Sequence, residues 1–232
     1  MIPIGDDELR PRFFPVVVYG LIALNVWAFF QEIAAPETDA FINAFALIPY
    51  DVTHGVVLAP PSPPFAPLTI VTSMFLHGGL LHIGFNMLFL FVFGPAVEYR
   101  CGHLRFFGYY LLCGIAGGIA QILIGPGSHV PALGASGAIA GVLGGYLVSY
   151  PFARINTIVP IVFFPLFLRL PALLVIGVWA ATQFITGFGT ISGRAAESQG
   201  GTAYFAHIGG FCAGVLVIGL FAKRPAASRV RG

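Results

Sequence analysis

The tetrapeptide Gly134-Ala135-Ser136-Gly137 introduces the stretch that decides the fold, SGAIAGVLGGYLVSY, which runs from Ser136 to Tyr150. The run is apolar, rich in Gly and Ala, and ends immediately before a proline, so it predicts a membrane-spanning helix. At 1.5 Å per residue the run reaches about 22 Å, whereas the hydrocarbon core of a bilayer is about 30 Å thick. If Tyr150 lies at one interface, Ser136 therefore lies below the opposite one.

Ser136 is expected in the first turn of this helix, where backbone N–H groups have no intrahelical partner and the helix dipole is positive. Such a position is suited to holding an oxyanion next to a hydroxyl nucleophile. The alternative is that Ser136 is one more small residue that lets membrane helices approach closely.

The composition identifies a multi-span membrane protein, because 57% of the 232 residues are hydrophobic and only 9% are charged. A net charge of +2 with dispersed basic residues gives no patch for nucleic acid. The cysteines, Cys101, Cys113 and Cys212, show no C-x-x-C spacing and indicate neither a disulfide framework nor a zinc site. No metal and no cofactor are expected.

The apolar runs predict an all-α membrane protein with six spans, at 13–34, 79–97, 104–124, 136–150, 170–188 and 204–222. A seventh apolar run, 155–168, contains Pro160 and Pro165, which remove helix donors. We assign that run to an interfacial or partly embedded hairpin. In the long first outer loop, Phe41, Ala44, Phe45 and Ile48 recur at helical spacing and predict a short helix in the headgroup plane.

The basic residues test the six-span count. Six spans with a cytosolic N-terminus leave only Arg194 outside and place the other ten of the 11 basic residues in the cytosol: Arg10, Arg12, Arg100, Arg105, Arg154, Arg169, Lys223, Arg224, Arg229 and Arg231. This asymmetry follows the positive-inside rule. The predicted organisation is a cytosolic segment at 1–12, a six-span domain at 13–222 and a basic cytosolic tail at 223–232.

Ionisable and polar groups inside a membrane are costly and indicate function. His82 and Asn86 lie four residues apart on one face of the second span, and His207 lies near the start of the sixth. Counted from the cytosolic ends of their spans, His82 and His207 lie at a depth of about 24 Å, close to the 22 Å of Ser136. These three groups are therefore expected at one level, toward the outer face.

Two stripes of small residues predict that the fourth and sixth spans touch, namely Gly137, Gly141 and Gly145 on one helix and Ala206, Gly210 and Gly214 on the other. Ser136 and His207 each lie one residue from the start of a stripe, so helix contact brings hydroxyl and imidazole together. Each histidine, considered alone, could instead be a residue of the bundle interior that is hydrogen-bonded to a carbonyl group.

Three motifs now carry a family resemblance, in the family's order: His82-Ile83-Gly84-Phe85-Asn86, Gly134-Ala135-Ser136-Gly137, and Gly201 through Ala206-His207 to Gly210 and Gly214. They resemble the signature motifs of the rhomboid intramembrane serine proteases, and Glu98-Tyr99-Arg100 is similar to the family's E-x-R. The resemblance covers roughly 69–219.

The resemblance implies a six-helix rhomboid-like bundle with an interfacial first loop, and a dyad of Ser136 and His207 without a third acid. It also implies cleavage of transmembrane segments of other proteins within the bilayer. The oxyanion is expected to be held by the Ser136 backbone N–H, His82 and Asn86. Two features depart from the family pattern: the aromatic residue often found four positions after the nucleophile is Ala140 here, and the W-R pair of the first loop is absent.

Two other classes of function remain open. A non-catalytic member of the family would use the same helical bundle to hold the transmembrane helices of client proteins. Loss of the serine or the histidine of the dyad would indicate this class, and both are present in this sequence. A transporter or proton channel would use His82, Asn86 and His207 as a relay, but the sequence shows no broken helices in matching halves. The compact loops favour a multi-pass protein of a bacterial-type cytoplasmic membrane.

Overall fold

The computed structural model describes residues 1–7, 13–59, 61–161, 164–191 and 203–223. Most of the helical residues lie in six elements, α1 (Val16–Ala34), α5 (Leu80–Cys101), α6 (His103–Ile124), α7 (Ser136–Ser149), α8 (Ala172–Ile191) and α9 (Tyr204–Phe221). Within the described ranges, five of these are long and apolar enough to cross a membrane, and α7 is a shorter apolar helix. The predicted class, a helical membrane bundle, is confirmed. The basic tail beyond Lys223 lies outside the described residues, as do residues 8–12 of the predicted N-terminal segment and Gly201 of the third motif.

The loop between α1 and α5 contains short helices, one of them where the spacing of its apolar residues predicted a helix. They are α2 (Thr38–Phe45), α3 (Pro49–Thr53) and α4 (Thr69–Thr72), the last flanked by 3₁₀ turns at Ala66–Leu68 and Ser73–Phe75. Phe41, Ala44 and Phe45 lie in α2, whereas Ile48 lies beyond its end, immediately before α3. The loop is fastened to the α6–α7 connection by a β-bridge between Leu47 and Ala132.

Several predicted helix ends were displaced by up to four residues, and two of these shifts have a clear cause. Helix α5 continues past residue 97 to Cys101, because Pro95 is accommodated inside it, and stops at Gly102, whose φ of 85° favours glycine. Helix α8 begins at Ala172 and not at residue 170, because Leu170 and Pro171 are the last residues of a strand.

The run at 155–168 is a hairpin, as predicted, but its two arms are β-strands. Strands β2 (Arg154–Ile161) and β3 (Phe164–Pro171) pair antiparallel, and the N-terminal strand β1 (Ile2–Asp6) adds to β2 to give the order β1-β2-β3. The register aligns Ile2 with Ile158 and Asp6 with Ile155. The sequence analysis predicted no strand in 1–12, so this sheet adds to the predicted helical bundle.

Helix α7 forms the centre of the bundle, and every side chain or glycine from Gly137 to Tyr146 is buried. It packs against α5, α6 and α9. Close approach to α9 depends on the small-residue stripes, since a Cβ at Gly210 would overlap the Gly137 carbonyl group. Tyr109 of α6 donates a hydrogen bond of 2.6 Å to the carbonyl oxygen of Gly141.

Glu98 explains the E-x-R motif structurally. Its carboxylate is fully buried and accepts hydrogen bonds from the backbone N–H groups of Val17 (3.1 Å) and Val18 (2.8 Å), at the start of α1. It also contacts His103. Arg100 donates to the carbonyl oxygen of Lys223 at 2.9 Å, so this motif joins α1, α5 and the end of α9.

Candidate active site

Ser136 is the first residue of α7, and the turn before it is held in place by the backbone. Gly134 has a φ of 125°, and its N–H donates to the carbonyl oxygen of Ser73 at 2.9 Å. A Cβ at Gly134 would lie 2.8 Å from Nε2 of His82, so glycine is required both for the conformation and for the close approach. The same Cβ would lie 3.4 Å from Oγ of Ser136, so the turn brings the Ser136 hydroxyl and the His82 ring to one side of Gly134.

His207 lies in the first turn of α9 and forms two side-chain hydrogen bonds. Its Nε2 lies 2.7 Å from Oγ of Ser136, and its Nδ1 lies 2.7 Å from Oε1 of Gln183. The contact between hydroxyl and imidazole is the one that the stripes on α7 and α9 indicated. It places an imidazole nitrogen within the distance from the Ser136 hydroxyl that proton transfer requires.

His82 and Asn86 lie on the face of α5 that is turned toward Ser136. Nδ1 of His82 accepts a hydrogen bond of 3.3 Å from the backbone N–H of Gly78, so in the neutral ring Nε2 carries the proton and points toward the Gly134 turn. Asn86 is only 7% exposed, and within the described ranges no group accepts a hydrogen bond from its Nδ2. Both side chains therefore offer a donor at the site.

The four polar groups face one cavity of about 620 Å³. Its walls come from α5 (with Phe85 and Phe89), α7, α8 (with Trp179) and the start of α9. A second, smaller cavity of about 30 Å³ lies behind Ser136 and is lined by small or apolar residues such as Met74 and Gly114. Ser136 thus lies between a wide cleft and a narrow recess.

Sequence reasoning missed two residues of α8 that contact His207. Gln183 accepts the hydrogen bond from Nδ1, and the Trp179 ring lies 6.0 Å from the imidazole, measured between centroids. Ala140 is fully buried and supplies no ring beside the imidazole. The sequence did offer a signal, because Gln183 is a polar residue in an apolar run. It lies four residues after Trp179, so the two share one face of the helix.

His77 and Glu32 form a buried polar contact beside the site that the sequence analysis also missed. The backbone N–H of His77 donates to Oε2 of Glu32 at 3.0 Å, and the His77 ring packs edge-on against His82 at 5.2 Å. Burial, together with the nearby His82, lowers the pKa of His77 to about 4. The His77 ring is therefore neutral at pH 7.

Comparisons with known proteins agree with this architecture. Residues 65–224 match the rhomboid domain. The chain is 30% identical over 204 residues to the mitochondrial Rhomboid protein 1 of Saccharomyces cerevisiae, covering 86% of this chain and 51% of that protein. It is 36% identical over 134 residues to Rhomboid protease GluP of Bacillus subtilis, covering 57% and 24%.

A third relative, the chloroplastic Rhomboid-like protein 11 of Arabidopsis thaliana, is 31% identical over 162 residues, or 68% of this chain and 54% of that protein. The chain thus spans about half, or less, of the length of these relatives. The family match covers well over half of the chain and the same residues that build the cavity, so the chain belongs to the rhomboid family.

Proposed function

We propose that this membrane protein is an intramembrane serine endopeptidase that cleaves transmembrane segments of other proteins through Ser136 and His207. The observation that carries the proposal is the 2.7 Å contact between Nε2 of His207 and Oγ of Ser136 at the wall of the 620 Å³ cavity. A hydroxyl bonded to an imidazole is the arrangement that activates serine for acyl transfer.

In the first half of the reaction His207 takes the proton of Ser136, and Oγ attacks the peptide carbonyl carbon. The tetrahedral intermediate then expels the amine, which takes its proton from His207, and an acyl ester remains on Ser136. In the second half His207 takes a proton from water, the hydroxide attacks the ester, and Oγ recovers its proton as the carboxylic acid leaves.

The negative oxygen of both tetrahedral intermediates needs donors that are already in place. Asn86 Nδ2 and His82 Nε2 are turned toward the cavity, and the N–H of Ser136 lies in the first turn of α7. Donors that are fixed before the reaction stabilise the charge without reorganisation during it. This supports the roles that the sequence analysis expected for all three.

The cavity supports a class of substrate. Its walls are mainly apolar and lie between α5 and α8, which suits a single-span segment that unwinds near the dyad. The recess of about 30 Å³ behind Ser136 accommodates only a small side chain next to the cut bond. We therefore propose that the substrates are single-span proteins with a small residue before the cleavage site. We also propose that both termini of this chain lie on the cytosolic side.

The test is to incubate the detergent-purified protein with a panel of single-span substrates and to map any cut by mass spectrometry. We expect cleavage by the wild type and by Ser149→Ala, a change at the far end of α7, and none by Ser136→Ala or His207→Ala. A fluorophosphonate reagent should label Ser136 alone, and labelling should vanish in His207→Ala. Full proteolysis by Ser136→Ala would remove the proposal, and client binding without any cut would favour a non-catalytic relative.

A further inference from the structure

We infer that Gln183 is a positioning residue that holds His207 in the tautomer and orientation required of the base; this inference rests on the proposed function. The dyad then has a third member, an amide on α8. No carboxylate is needed for this role, because the Gln183 side-chain oxygen is itself an acceptor.

The hydrogen bonds around Gln183 determine which of its side-chain atoms faces the imidazole. Its Nε2 donates to Oγ1 of Thr182 at 3.2 Å, and that hydroxyl in turn donates to the carbonyl oxygen of Trp179 at 2.6 Å. With the NH₂ group engaged in this way, Oε1 is the atom that faces Nδ1 of His207 at 2.7 Å.

The amide oxygen in turn determines the proton position on the imidazole. A neutral imidazole carries one proton, and an acceptor at Nδ1 holds it there. The lone pair is then on Nε2, which lies 2.7 Å from the Ser136 hydroxyl and can accept its proton. In the other tautomer Nε2 would carry a proton and could not act as the base.

The same contact acts when the imidazole becomes charged. After His207 accepts the serine proton, its Nδ1–H bond to the Gln183 oxygen becomes a hydrogen bond from a cation, which is stronger than a neutral one. The stabilisation therefore grows as the reaction proceeds. It should appear in kcat more than in KM.

Gln183 also makes the geometry of the dyad depend on how α8 is seated. Helix α8 packs chiefly against α9, and a Cβ at Gly187, one turn after Gln183, would lie 3.2 Å from Cβ of Tyr204 and 3.1 Å from Ile208. The two helices are thus close because residue 187 has no side chain. Since Ala140 supplies no ring, α8 takes over the support of His207.

The test compares Gln183→Leu, which keeps the bulk and removes the acceptor, with Gln183→Glu, which keeps an acceptor. Gln121→Leu on α6 is the matched control. We expect Gln183→Leu to lower kcat about 10- to 100-fold at nearly constant KM, since the lost bond is one to a charged group. Gln183→Glu should keep most of the activity, and Gln121→Leu should keep wild-type turnover per folded molecule.

A second measurement does not depend on any substrate. In protein with ¹⁵N-labelled histidine, the His207 signals should report a proton on Nδ1 in the wild type and in Gln183→Glu, and a mixture of tautomers in Gln183→Leu. Wild-type kcat and an unchanged tautomer in folded Gln183→Leu would overturn the inference and leave the dyad intact. If the wild type cuts no substrate, the proposed function fails, while the ¹⁵N signals still decide the tautomer.

Discussion

Gly214 of α9 lies directly against the backbone of Gly141 on α7, so close that a Cβ at residue 214 would overlap the Gly141 carbonyl group. One turn earlier, Gly210 contacts Gly137 in the same way, and Gly137 is the neighbour of the proposed nucleophile Ser136. The distance between Ser136 and His207 is therefore set by backbone contact between two helices.

The first prediction concerns this contact. Gly214→Ala should lower the melting temperature and reduce turnover, because the methyl group meets main-chain atoms that no side-chain movement can clear; overpacking of this kind costs about 1–3 kcal/mol. Gly219→Ala, on the same helix with nothing within 4 Å of the new Cβ, is the control and should keep both values. Melting temperature and turnover are measured in detergent, and equal melting temperatures for the two variants would contradict the prediction.

The sequence contained enough information to predict the contact between Ser136 and His207. The rise per residue of a helix is nearly constant, so counting residues from the predicted cytosolic ends of the spans places both groups at one depth. Small residues that recur every four positions identify the helix faces that touch. The contact of Gln183 with His207 could not be predicted in this way, because it depends on the rotation of α8 about its own axis. That rotation is set by packing at Gly187, for which a single glycine in the sequence is too weak a signal.

The sheet shows a second limit of the sequence analysis. Ile2 pairs with Ile158, far away along the chain, and such pairing has no local signal. Pro160 and Pro165 exclude a helix in the hairpin, but proline is also unusual in strands, so they did not identify one. They pair with each other near the tip of the hairpin, where fewer ladder hydrogen bonds are lost.

The second prediction separates catalysis from packing at Asn86. Asn86→Ala and His82→Ala each remove a donor that matters only when charge develops, so each should lower kcat, by up to about 10² to 10³, with little change in KM. Asn25→Ala is the control, since Asn25 is fully buried on α1 and donates to the carbonyl oxygen of Leu21. It should lower the melting temperature and leave turnover per folded molecule unchanged. The same result for Asn86→Ala would show that Asn86 only joins helices.

The third prediction concerns topology. Because ten of the 11 basic residues fall on one side of a six-span arrangement, reporter fusions after Arg169 and after Lys223 should both report the cytosol. A fusion after Ser128, in the α6–α7 connection, should report the opposite side. An outer location for either of the first two fusions would exclude the six-span arrangement.

The fourth prediction concerns the pH dependence of stability at His77, which is fully buried in the segment before α5. Its pKa is lowered from 6.5 to about 4, first by burial and then by His82, so between these pH values the unfolded chain binds a proton that the folded protein does not. Stability therefore falls as pH falls through this window, by up to about 1.4 kcal/mol per pH unit from this group.

Melting temperatures between pH 7.5 and 4.5 should decline less steeply in His77→Gln than in the wild type. Parallel curves for His77→Gln and the wild type would assign the acid sensitivity to other groups.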